Sequence, residues 1–555
     1  MLAIIPEPTH VQMSDAMPFR LDASTRVLVP TVELIPLATL FASQLHRFAG
    51  MTVDVIEGEV AGESPAIRVA LVADDPDVLA LPATGGLRAD DGNPNVERYT
   101  LAIRENGIQI RALQPEGVYR GLTTLLQLAA TTIPEPDGTI SLPAVEIADA
   151  PRFAWRGLSF DVARTFFPVD DAKRVIDLLA LYKFNVLHLH LTDSEGWRIE
   201  IDSWPLLTAI GGQGAAKGRP GGFYTKADYR EIVRYAAERF ITVVPEFEMP
   251  GHTAAIYKAY PDLAGDGVHE STANRERAPW FQVMHPDHPR IFSFVSDVLT
   301  EIAALTPGAC LHIGGDEALG MDDDLYARFI QGVQPLVHGV GKKLIGWQET
   351  ARAGLAPGDI AQLWISPQQL ENLATPDLSD LPADFELPPD AGKLLEAFIG
   401  MLHKAEQDLD KALAQGADIL VSQSVNTYLD TMYPEPSSDP SQEADRRRLG
   451  MLFYPKSTVA EFYDWNPATI RPTLHEDRIA GVEAAIWCES ITGVDDLFFL
   501  LLPRLPGIAE QGWSPAPSGE ASDRWAGYAP RIAAQAETWR RCGWKFFRSS
   551  VVWPS

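Results

Sequence analysis

The stretch ACLHIGGDE, residues 309–317, is an apolar run that stops at two glycines and then sets two carboxylates side by side. Neighbouring like charges repel and each favours the other's protonated form, so a chain needing only a solvated turn had less repulsive choices. An apolar strand with a permissive tip and a charged end is what a barrel strand offers to its C-terminal mouth. Gly314 and Gly315 let backbone or ligand approach closely, and Asp316 and Glu317 follow at the tip.

The same pattern recurs on both sides of it. GLSFDVA (157–163), FNVLHLHLTD (184–193), FITVVPEFE (240–248), KLIGWQE (343–349), IAQLWIS (360–366), DILVSQS (418–424) and GVEAAIWCE (481–489) are short apolar runs that end in polar or aromatic residues. Helix-length segments such as 170–183, 226–239 and 288–305 lie between them. Eight runs with helical crossovers predict a (β/α)8 barrel over residues 151–555, an α/β fold whose chemistry sits at the C-terminal strand ends.

Upstream, residues 1–150 read as a small α+β domain. Extended patterns at 26–30, 52–58, 66–72, 97–106 and 107–113 alternate with amphipathic helices at 34–50 and 116–130. The Pro-rich passage 131–153 marks the boundary. One barrel connection is long, an insertion near 366–416: its first half, PDLSDLPADFELPPD, is acidic and Pro-rich, and its second half, 393–413, reads as one crossover helix.

Composition narrows the function. A net charge of −29 disfavours nucleic acid and anionic membranes as partners, and no run approaches the roughly 20 apolar residues of a membrane span. Three cysteines with no CxxC spacing argue against a disulfide framework or a structural zinc site, and the N-terminus shows no secretory pattern, so a cytoplasmic location is expected. Composition leaves monomer and homodimer both open.

The strand ends carry the chemistry. Two adjacent carboxylates reach opposite faces of a sugar poorly, whereas the paired acids of most glycosidases stand about 5 to 9.5 Å apart. One of Asp316 and Glu317 can instead orient a substrate group while the other protonates a leaving oxygen. Trp347, Trp364 and Trp487, at the fifth, sixth and eighth strand ends, form an apolar box suited to sugar rings. Tyr428, Asp430 and Glu489 supply a phenol and two acceptors, and Arg164 binds ligand hydroxyls or neutralises carboxylates. His252, near Glu248, stands where it can tune Asp193 and Glu317.

Two other classes compete. His188 and His190 lie two apart on one strand and could hold a divalent metal with Asp193, but the fifth and sixth strand ends offer no histidine to complete the site. A catalytically silent sugar-binding protein would not need Asp316, Glu317 and Tyr428 together.

These motifs resemble glycoside hydrolase family 20, the β-N-acetylhexosaminidases. HIGGDE is similar to the family's HxGGDE signature; RGLSFDVARTFFP, YKFNVLHLHLTDSEGWRIEI, VVPEFEMPGH, GWQE, NTYLD, GVEAAIWCE and LLPRLPGIAEQGWS follow in the family's order, and EGVYRGLTTLLQL is similar to the end of its N-terminal α+β domain. The resemblance implies an exo-acting, retaining enzyme that removes terminal GlcNAc or GalNAc without metal or cofactor, the substrate's 2-acetamido oxygen serving as nucleophile. It further implies that Asp316 orients the acetamido N–H, Glu317 is the general acid/base and Tyr428 holds the acetamido oxygen. Trp347, Trp364 and Trp487 would enclose the acetamido methyl and sugar face, Arg164, Asp430 and Glu489 would grip hydroxyls, Asp193 and His252 would support the acid, and His312 would shape the strand tip. The insertion near 366–416 has no counterpart in that pattern.

Overall fold

The computed structural model describes residues 2–58, 65–264, 282–319, 321–366, 391–452 and 454–554, with backbone alone at 391 and 393–395. Its N-terminal part is a seven-stranded mixed sheet in the order His10–Met13, Val145–Asp149, Tyr99–Arg104, Gly107–Ala112, Ala66–Leu71, Arg26–Val29, Asp54–Glu57. The Pro-rich passage 131–153, which leads to the expected boundary near residue 150, contains two strands, Ile140–Leu142 and Val145–Asp149. Pro143 falls between them, and Val145 and Ile147 alternate inward, so the prolines separate strands rather than prevent them.

The helices Ile35–Ala49 and Pro115–Thr131 pack together and against the sheet. The first carries Pro36 in its first turn and stops at Gly50, whose φ of 73° lets its N–H reach the His46 carbonyl. The second is buried on nearly every face because the barrel and the C-terminal helix Ala536–Arg541 cover the side the sheet does not.

The barrel is closed and parallel, its strands Trp155–Asp161, Val186–His190, Thr242–Glu246, Cys310–His312, Lys343–Trp347, Ile360–Leu363, Asp418–Val421 and Ile479–Ile486 following one another around the ring. All eight expected strands are present, and the first pairs with both the second and the eighth. The expected crossover helices occur at Val169–Leu181, Lys226–Ala237 and Ile291–Ala303. In the long connection, residues 367–390 lie outside the described residues, and the single helix expected over 393–413 is two, Ala391–Ala405 and Asp408–Gln415. The break lets the buried Asp408 reach Arg352 at 2.6 Å. Among the described residues no helix is long and apolar enough to cross a membrane.

Buried charge joins the two parts at the N-terminal end of the barrel. Arg156 of the first barrel strand and Arg120 of the N-terminal helix both hold Glu97, at 2.5 and 2.8 Å. Arg120 and Arg88 hold Glu116, and Lys183 holds Asp149 at 2.9 Å. Burial alone would raise the Glu97 carboxyl, but Arg156, Arg120 and Arg88 bring it down to about 2.

Candidate active site at the barrel mouth

The barrel interior is only partly the usual stack of branched aliphatics, represented by Val186, Val244, Ile345, Ile360 and Leu420. His188, Glu246, His312, Gln362 and Glu483 are fully buried there. His188 Nδ1 lies 2.8 Å from Glu483, and His312 Nδ1 lies 2.8 Å from Glu246. Gln362 donates to Glu483, and the indoles of Trp155 and Trp347 donate to Glu483 and Glu246. Glu246 thus has three imidazoles and one indole around its two oxygens. Burial opposes its charge, and His312, His190 and His188 hold it well below the usual carboxylate range.

Above this layer the strand tips converge. Gly314 and Gly315 adopt φ of 67° and 99°, and Glu317 (47°) and His252 (53°) are themselves left-handed, strained backbone of the kind concentrated at functional sites. Gly314 faces the Glu248 carboxylate so closely that a Cβ would fall 2.0 Å from its Oε2. Gly314→Ala is therefore expected to lower stability by roughly 2–4 kcal/mol, from backbone strain plus overlap with a buried acid. Chemical denaturation measures this; a change within ±0.5 kcal/mol would contradict it.

His252 stands between the carboxylates, its Nδ1 3.3 Å from Asp193 and its Nε2 3.5 Å from Glu317 and 3.7 Å from Asp316. Burial opposes its charge, but Asp193 foremost, with Glu317 and Asp316, holds it well above the ordinary imidazole range. Burial pushes the Asp316 carboxyl up to about 6, His252 opposing and Glu317 adding to the rise. Glu248 behind it is driven well up by burial, Asp316 and Glu246.

The aromatic box assembles as the sequence suggests. Trp347, Trp364 and Tyr428 are buried in one cluster, with Trp487 packed against it; Trp347 and Trp487 centroids lie 5.9 Å apart, Tyr428 and Trp487 5.7 Å. Trp364 is fixed by donating to Glu349. Tyr454, which the sequence reading missed, meets Tyr428 edge-on at 5.4 Å. It sits in irregular chain, where no periodicity marks it. Met401, Leu402 and Phe398 of the long connection also join this cluster, so its helix backs the site.

Of the two uses left open for Arg164, the structure displays the second. Its NH2 group binds Asp193 at 2.7 Å, its NH1 lies 3.2 Å from His190 and its Nε 3.5 Å from Glu195. Nearby, both oxygens of Asp430, one of Glu489 and Oδ1 of Asp316 are buried without a hydrogen-bond partner. Buried polar atoms are normally satisfied, so orphaned acceptors around one mouth point to a ligand rich in donors. Burial, with Glu489 beside it, pushes Asp430 well up.

The HLH pair does face one side, but each ring already meets carboxylates, and the third histidine comes from the fourth strand, not the fifth or sixth. Among the described residues, His188 with Glu246 and His312, His190 with Glu246 and Glu248, and His252 with Asp316 and Glu317 come close enough to share an ion. In each set imidazole already meets carboxylate, two rings to one acid in the first and one ring to two acids in the others.

A closed barrel with an aromatic box, paired acids at one strand tip and unmet acceptors around them defines a glycoside hydrolase. The sequence profile of the glycosyl hydrolase family 20 catalytic domain matches residues 153–383 and 393–516, and that of the family's domain 2 matches residues 1–150. The chain is 37% identical to the β-N-acetylhexosaminidase of Cellulomonas fimi over 556 aligned residues, covering 100% of this chain and 97% of that one. Its fold is similar to the Streptomyces plicatus N-acetyl-β-hexosaminidase in complex with thio-NAglucal (TM-score 0.79, 35% identity, 99% of this chain and 96% of that one). It is equally similar to a mutant of the S. plicatus enzyme in complex with product GlcNAc (TM-score 0.79, 34% identity, 99% and 97%). The chain belongs to glycosyl hydrolase family 20, the β-N-acetylhexosaminidase family. The catalytic profile is interrupted only at 384–392, so most of the stretch near 366–416 falls within the match.

Proposed function

We propose that the protein is an exo-acting, retaining β-N-acetylhexosaminidase that removes terminal GlcNAc or GalNAc by substrate-assisted catalysis. The observation that carries this reading is the convergence of Asp316 and Glu317 on His252, each within 4 Å of its Nε2, at the tip beside the box of Trp347, Trp364, Trp487 and Tyr428. No second carboxylate is needed across the sugar, because the acetamido oxygen is tethered through C2 four bonds from the anomeric carbon and attacks it intramolecularly, closing a five-membered ring. As the C1–O bond breaks, Glu317 gives its proton to the leaving oxygen, and Asp316 accepts from the acetamido N–H as positive charge develops there. Tyr428 donates to the acetamido oxygen. Water then opens the oxazolinium-type ring at C1 and returns a proton to Glu317.

Asp430 and Glu489 accept from sugar hydroxyls, which their unmet oxygens favour, and Arg164 holds the neighbouring carboxylate Asp193 and the hydroxyl edge. The test is hydrolysis of an aryl β-GlcNAc beside the matching aryl β-glucoside, in chelator. Turnover confined to the acetamido sugar is expected; comparable turnover of the glucoside would sink the substrate-assisted mechanism.

A further inference from the structure

One line of side chains leaves the site and runs down into the barrel. From Glu317 it passes through His252 (3.5 Å), Asp193 (3.3 Å) and His190 (3.1 Å) to Glu246 (2.5 Å), which lies on the third strand and is fully buried. The step at His190 is undecided by position alone. Its Nε2 faces an acceptor, Asp193 Oδ2, at 3.1 Å and a donor, Arg164 NH1, at 3.2 Å. A ring protonated at both nitrogens donates to Glu246 and Asp193 at once. A neutral ring accepts from Arg164 and turns a lone pair on Asp193.

We propose that Glu246 is a positioning residue for the general acid: its carboxylate at His190 Nδ1 keeps the second proton on that ring, and the ring then fixes Asp193 against His252 and His252 against Glu317. This rests on the substrate-assisted reading above, with Glu317 as the acid. The charged and titratable neighbours are accounted for: Glu246 faces His188, His190 and His312, with Glu248 and Asp316 near; His190 faces Glu246, Glu248 (3.9 Å), Asp193 and Arg164; Asp193 faces Arg164, His252 and Glu195. A low-dielectric core makes an ionised carboxylate at 2.5 Å a strong proton anchor, and among the described residues no other acid lies as close to that nitrogen. Asp193 receives Arg164 NH2 at 2.7 Å on the same oxygen, so losing the His190 donor leaves it drawn towards Arg164 and away from His252.

Glu246 also holds Trp347 through its indole N–H, so a merely structural role would disturb the sugar pocket and every substrate alike. The experiment separates the two. Glu246→Gln and His190→Gln are assayed by kcat/KM, which reports the leaving-group step, on a dinitrophenyl β-GlcNAc and on a GlcNAc disaccharide. The expected result in both variants is a loss of about 10- to 100-fold on the disaccharide, part of the 10²–10⁴ that general acid catalysis provides, and under about threefold on the activated aryl glycoside. Equal losses on the two substrates, or none, overturn the proposal. His190→Gln leaves the Trp347 contact in place and decides the matter if Glu246→Gln does not fold. On the unsubstituted enzyme, ¹⁵N-histidine spectra at pH 7 are expected to show His190 protonated at both nitrogens, and a neutral ring overturns the proposal without any variant. If the unsubstituted enzyme turns over neither acetamido substrate, the functional reading has failed; if it turns over both and the variants lose equally, the role of Glu246 alone has.

Discussion

Replacing Glu317 by glutamine is expected to lower kcat/KM on unactivated N-acetylhexosaminides by about 10²–10⁴, while an aryl glycoside with a good leaving group loses far less. Glutamine keeps the size of the side chain and its strained backbone position but carries no transferable proton. A leaving alkoxide needs that proton as the C1–O bond breaks; a nitrophenolate hardly does. The contact to His252 at 3.5 Å is long for a hydrogen bond, as catalytic contacts often are before substrate tightens them. Measuring kcat/KM across a series of aryl leaving groups checks the assignment. Equal loss across the series would remove Glu317 from the acid's role.

Asp316→Asn is expected to cut kcat about 10²–10³-fold on every leaving group, because in the proposed mechanism the charge it stabilises belongs to the acetamido group and not to the aglycone. The unsubstituted enzyme should also lose activity as pH falls through about 6, the value to which burial first, and Glu317 with it, pushes this carboxyl. Above that pH Asp316 is ionised, as the proposed contact with the acetamido N–H requires; below it the protonated form cannot neutralise the developing charge. The asparagine variant should lack this acidic limb. A pH profile with the limb intact in the variant would assign the titration to another group.

The fold was legible where the signal is local. Each barrel strand announces itself by a short apolar run and a polar or aromatic tip, and tip residues converge because a closed parallel barrel brings all eight ends to one mouth. That logic brought Asp316, Glu317, His252, Trp347, Trp364, Trp487 and Tyr428 together before any coordinates. What escaped depends on cross-strand neighbours. Glu246 and Glu483 sit inside apolar strands, and a charge in the middle of a buried run is a signal in its own right. Their partners His188, His190 and His312 are distant in sequence, however, so only the barrel's register shows that charges cancel there. For Arg164 residue type alone could not choose between hydroxyl and carboxylate, and the register of the second strand tip supplied Asp193. The strand Val145–Asp149 was hidden by prolines on either side of its group.

The charged seam beneath the barrel bears on how such a chain can be cut or recombined. Arg156 and Lys183 belong to barrel segments, yet Glu97 and Asp149, their counterions, come from the first 150 residues. Breaking a buried pair by removing one partner costs about 3–5 kcal/mol, and trimming the chain to its barrel would do so twice while stripping the helix Pro115–Thr131 from the barrel's underside. The barrel is therefore not an autonomous module. A chimera that grafts it onto a foreign N-terminal partner must bring two acids to the same depth, or change Arg156 and Lys183 along with the graft.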